Sequence, residues 1–230
     1  RSTLFPYTTL FRSLELLRRT DYAEADRVLQ LLTPQGRRAV IAKGVRRERS
    51  KLAGGIELLA LCDVVIRSGR GELGLLTSAR LSAFYRHILE DYERMQFAYQ
   101  ALKLVAQATE TVDGPEWFAV LSQVLAWLDR PAVDRLLIET WFYMQYAGLL
   151  GDELNLRTDV AGRMLTSDKS YMYDPGEKAL RPSEQGDLTA DHIKLLRLIQ
   201  AKPLENLTHI GGLGPVIASC WLVARQHAAV

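Results

Sequence analysis

Cysteine is nearly absent from this chain, which has only Cys62 and Cys220 in 230 residues. The two lie far apart and each sits in an apolar run, so the sequence predicts buried free thiols in a reducing cytoplasm. Two cysteines are also too few for a cysteine-based zinc site. No apolar run approaches the roughly 18 uncharged residues that a membrane span requires, so no membrane partner is expected. A glycine-rich phosphate loop followed by lysine is missing, which argues against an intrinsic ATPase. The four histidines, His87, His192, His209 and His227, are scattered. None is placed beside a Ser or Cys nucleophile with an orienting acid, which leaves no triad.

What is present is a concentration of positive charge. Residues 37–51, RRAVIAKGVRRERSK, hold Arg37, Arg38, Lys43, Arg46, Arg47, Arg49 and Lys51 against the single acid Glu48. Ala39 to Ala42 form a short apolar run between the Pro34-Gln35-Gly36 turn signal and Gly44, which predicts a strand leading into a mobile cationic loop. Long cationic side chains on such a loop can follow phosphates without a fixed register, so nucleic acid is the first partner to consider. The alternative is a solvated surface loop. Arg67 and Arg70, at the Ser68-Gly69-Arg70-Gly71 turn, are second-rank candidates for the same contact.

Thr3 to Ser13, TLFPYTTLFRS, reads as the translation of a sequencing-library adapter, so the natural protein is expected to begin no earlier than about Leu14. Thr8 to Arg12 is β-prone by accident and could fill part of a missing first strand. The net charge of +2 comes from Arg1 and Arg12, which leaves residues 14–230 neutral. That neutrality conceals an asymmetry. Residues 14–82 carry thirteen Lys and Arg against eight Asp and Glu, whereas residues 83–230 carry fourteen against nineteen. A polyanionic partner therefore belongs to the front of the chain.

The expected fold class is α+β, a five-stranded OB-fold barrel over residues 14–81 followed by an all-helical domain over 82–230. Strands are expected at Leu14 to Arg19, Arg27 to Thr33, within the basic stretch, at Ile56 to Arg67 and at Leu73 to Ala79. Asp21, Glu24 and Asp26, between the first two, could in principle hold a metal. With no further ligands at hand they read instead as turn caps paired with nearby arginines. From Leu81 the period becomes helical, with one helix from Ser82 to about Thr109, a second over Trp117 to Leu128, and a third opened by Pro131. Asn155 to Asp187 reads as an irregular insert with a short hairpin around Tyr171 to Leu180. Helices follow from an N-cap at Thr189, ended by Pro203, and from Gly214 to Ala229.

Several short patterns occur together in one order. They are Tyr22, Glu24 and Asp26, then Leu32-Thr33-Pro34 with Gly36, then Ala42-Lys43-Gly44 with Arg46 and Arg47, then a glycine-rich turn. In this the chain resembles the RecO family of bacterial recombination mediators over nearly all of residues 14–230. The resemblance implies a non-enzymatic DNA-repair protein that binds single- and double-stranded DNA through its barrel and anneals strands coated with single-strand DNA-binding protein. It also implies that the protein works with RecR to load recombinase, in the cytoplasm and on the nucleoid, without a cofactor. Many members hold a zinc with four cysteines in the insert. Here Thr158 and Ala161 fall where the first pair would stand, which implies a zinc-free variant with an insert held by packing. The position before Glu24, often Gly in the family, is Ala23, which should tighten the turn without affecting binding. The competing function class is an OB-fold protein-interaction module whose basic loop meets acidic side chains, with no direct role on DNA.

Overall fold

The computed structural model describes residues 8–52, 54–68 and 73–229. Packing divides the chain into two compact units, one ending at Asp129 and the other beginning at Arg130.

The first unit opens with β1 (Thr8–Tyr22), β2 (Asp26–Thr33), β3 (Gly36–Ala42), β4 (Ala60–Arg67) and β5 (Gly74–Phe84). They pair in the cyclic order β1-β2-β3-β5-β4, with β4 returning to β1, so the sheet closes into a barrel. Every pairing is antiparallel except β3 with β5. The strands alternate as two-residue periodicity requires, sending Leu29 and Leu31, Val40 and Ala42, and Cys62, Val64 and Ile66 inward. Each fully buried Leu or Val contributes about 1.5–3 kcal/mol relative to exposure, so this alternation fixes the register. Arg38 shares the inward parity of Val40 but sits at the open start of β3, where it is exposed.

β1 is longer than the expected remnant. Residues 8–13 continue it toward the N-terminus, with Thr8 opposite Arg67 and Phe11 opposite Val64. A register shift between Phe11 and Leu14, with Ser13 at φ +53, bends the strand. Its first half can then pair with β4 while its second half pairs with β2.

Further boundaries differ from the sequence reading. β4 begins at Ala60 rather than Ile56, because Leu59 turns the chain at φ +57 and its carbonyl accepts from Tyr85 N–H at 3.1 Å. The helix expected from Ser82 does not start there. β5 runs on to Phe84, paired with Ala60, and a 3₁₀ turn follows over Arg86–Glu90. In that turn the amides of His87 and Ile88 both donate to Asp129. α1 (Tyr92–Ala108) starts only after Asp91, whose carboxylate accepts from Arg94 N–H at 3.0 Å. This is an N-cap that the apolar periodicity overran. α2 (Glu116–Leu128) completes the unit. Within it α1 packs on β1, and α2 on β1, β2 and β3, and Leu17 and Leu32, which alternate with the inward Leu16 and Leu31, are buried.

The second unit is built on α3 (Arg135–Leu149), α4 (Ala190–Ala201), α5 (Leu204–Leu207) and α6 (Gly214–His227). Asp134 caps α3, so the helix begins four residues after Pro131. Thr189 caps α4 as expected, in a capping box with His192. The hairpin in the insert is β6 (Tyr171–Asp174) with β7 (Ala179–Pro182). Phe142, Tyr143, Leu196, Ile199 and Cys220 lie in its buried interior. Both thiols are free and buried, and burial pushes Cys62 up to about 11 and Cys220 to about 12.

Candidate nucleic-acid interface

The basic stretch is divided by the strand that carries it. Arg37 and Arg38 stand at the start of β3 and Lys43 just beyond its end, five residues from Arg38 and so about 17 Å along the strand. The two groups have different surroundings.

Arg37 is engaged within its own unit. Its backbone N–H donates to Asp113 at 2.9 Å, and its guanidinium lies 3.6 Å from Glu110. Gly36, at φ +97, permits the close approach, since a Cβ there would stand 2.9 Å from the Asp113 carboxylate. Nothing in the local sequence announces these partners, which lie more than seventy residues away. Arg38 donates to the carbonyl of Arg37 and is otherwise exposed.

Lys43 to Lys51 form the other group. Gly44 takes the left-handed conformation at φ +64 where the chain leaves β3. Its N–H donates to Asp26 at 2.7 Å, and Arg46 N–H donates to the carbonyl of Ala25 at 3.0 Å. Turns follow, with Arg47 N–H on Gly44 and Ser50 N–H on Arg47, while Val45 and Ile56 insert into the barrel core. Gly55 presses against β5, where a Cβ would stand 2.4 Å from the carbonyl of Ala79. The segment expected to be a mobile loop is thus fastened to the barrel at both ends. Apolar anchors and turn bonds hold its charged side chains outward.

The acidic turn between β1 and β2 provides the anchor. Asp21 accepts from Arg27 Nε at 2.8 Å and lies 3.5 Å from Arg46, and these arginines hold its carboxyl below the usual range. Asp21 and Asp26 therefore do structural work on arginines and turns, in line with the sequence reading. Arg46 is partly neutralised. Lys43, Arg47, Arg49 and Lys51 are exposed and make no ion pair with any described residue. Arg67 joins them, because it pairs with Leu75, and Leu75 is the parallel partner of Ile41. Two strand spacings, about 10 Å, separate it from the end of β3. Arg70 lies outside the described residues.

The insert does not fit a zinc ion. Thr158 and Ala161 offer no thiolate, and the nearby carboxylate is already committed. Asp159 accepts from the N–H groups of Ala161 and Arg163 and from Arg163 Nε, all within 3.0 Å. Burial opposes its ionisation, but these donors outweigh burial and lower its pKa. Among the described residues no group of three or more His, Cys, Asp or Glu is placed to hold a metal.

Residues 16–85 match the family description "Recombination protein O N terminal", and residues 89–217 match "Recombination protein O C terminal". The chain belongs to the recombination protein O family. It is similar to a DNA repair protein RecO of Roseiflexus sp. (strain RS-1), 32% identical over 198 residues, covering 83% of this chain and 69% of that protein. A RecO of Synechococcus elongatus is 35% identical over 139 residues, covering 58% of this chain and 52% of the relative. One of Chlorobium phaeobacteroides is 27% identical over 221 residues, covering 87% and 84%. The chain thus spans between about half and five-sixths of these relatives. The first matched region contains β1 from Leu16 onward, β2 to β5 and both basic groups. No helix among the described residues is long and apolar enough to cross a membrane.

Proposed function

We propose that this chain is a DNA-repair and recombination mediator that binds the phosphate backbone of single- and double-stranded DNA and brings complementary strands together. On this reading the barrel is of the OB kind and acts by binding, without catalytic chemistry. The observation that carries it is the set of Lys43, Arg47, Arg49, Lys51 and Arg67, held outward at one end of β3 without an acidic partner among the described residues. Carboxylates nearby secure the backbone and Arg46, which leaves these five cations to an external polyanion.

The covered outer side of the barrel supports this path. OB barrels commonly use the face of strands 2 and 3 for nucleic acid. Here α2 packs on β1, β2 and β3, so the β3–β4 loop offers the more open cationic surface. RecR and single-strand DNA-binding protein are proposed as partners through the family relationship.

The test is a double charge reversal, Arg47→Glu with Arg49→Glu, which spares the Asp21–Arg46 contact. Affinity for a single-stranded oligonucleotide is expected to fall at least ~10-fold at low salt, and the salt slope to become shallower by about 1.4. Annealing of complementary oligonucleotides should slow in parallel. Unchanged affinity in a folded variant would remove the loop from the DNA path and favour a protein-interaction role for the barrel.

A further inference from the structure

The first unit contains a cleft of about 300 Å³ between the outer side of the barrel and α1. Leu17, Leu58, Leu102 and Ala106 give it an apolar floor, and Tyr99 stands at its side with 44% of its surface exposed. Arg18 and Lys103 stand in its lining, both exposed and without an ion pair to any described residue. Gln30, opposite Arg18 across the β1–β2 ladder, also lines the cleft, and its Oε1 is buried with no hydrogen-bond partner among the described residues. A buried acceptor left unpaired costs about 1–3 kcal/mol. An occupant with a donor in a flat apolar frame would relieve that cost.

We propose that this cleft receives an unpaired base of the DNA strand held by the basic loop, an inference that rests on the phosphate-binding reading above. Its position connects it to both basic groups. Leu58 comes from the same β3–β4 loop that carries Lys43 to Lys51, and Glu110, on the opposite wall, is the carboxylate paired with Arg37. The chemistry fits a splayed nucleotide. The Tyr99 ring offers a stacking face, every base carries an N–H on its pairing edge for the Gln30 carbonyl, and Arg18 and Lys103 can meet the flanking phosphates. A base in a duplex has its pairing edge occupied and cannot enter. The cleft therefore favours strands that are not yet paired.

The test measures binding of the full chain to three labelled ligands: an oligothymidine, an abasic oligonucleotide of equal length and phosphate count, and a duplex. One stacked base is worth about 1–3 kcal/mol, so the chain should bind oligothymidine about 5- to 150-fold more tightly than the abasic strand. Tyr99→Ala should erase that preference while leaving abasic and duplex affinities unchanged, and Tyr99→Phe should retain it. Tyr99→Leu keeps an apolar side chain without a ring, and serves in place of Tyr99→Ala if the latter misfolds. Equal affinity of the unaltered chain for both single strands, or a base preference that survives loss of the ring, overturns the cleft proposal and leaves phosphate binding intact. No salt-sensitive binding to any of the three overturns both.

Discussion

Two residues carry local conflicts that the rest of the fold tolerates. Ala23, in the β1–β2 turn, has φ +51, a left-handed conformation that a Cβ disfavours by about 1 kcal/mol. Glycine adopts such a conformation without that penalty. Ala23→Gly is expected to raise stability by about 0.5–1 kcal/mol in denaturant melts, with DNA affinity unchanged. Glu15 presents the second conflict. It is fully buried on β1, its Oε1 accepts from the Tyr85 hydroxyl at 3.1 Å, and its Oε2 has no partner among the described residues. Burial, only partly opposed by that hydrogen bond, raises its pKa to about 8. The unfolded chain ionises Glu15 near its ordinary value of 4.5 while the folded chain keeps it protonated. Stability is therefore lost as pH rises from about 4.5 through 8. Glu15→Gln has no such titration, so its melting temperature should exceed that of the unaltered chain by a margin that widens between pH 5 and pH 8. A constant margin would show that Glu15 is already ionised in the fold.

Among the elements, those fixed by short-range rules were the legible ones. β2 and β3 are bounded by turn residues, and Thr189 caps α4 where the sequence placed it. The overextended first helix failed for a physical reason. Tyr85 and Ile88 are buried at a spacing that suits a helix, yet Tyr85 links the end of β5 to a 3₁₀ turn and Ile88 lies within that turn. The decisive contact, Asp129 with the amides of His87 and Ile88, spans more than forty residues. In the candidate site, the charge run could be read from the chain, but its division could not. Which arginines are already neutralised depends on Glu110 and Asp21, and those contacts exist only after folding. The insert is held by a carboxylate-centred turn, Asp159 with the amides of Ala161 and Arg163. A chelator should leave the melting temperature unchanged, whereas Asp159→Ala should lower it.

For the whole molecule, the central claim is that five outward cations on a closed barrel recognise phosphate. A net charge of only +2 would not suggest it, because the acidic later residues cancel the basic front in any overall sum. The most direct measurement is the affinity of the full chain for a fluorescent single-stranded oligonucleotide at several salt concentrations. Contact of about four to five cations with phosphate predicts that log K falls with log salt at a slope between about −2.8 and −3.5. A slope near zero, or no binding at low salt by a folded sample, would contradict the account.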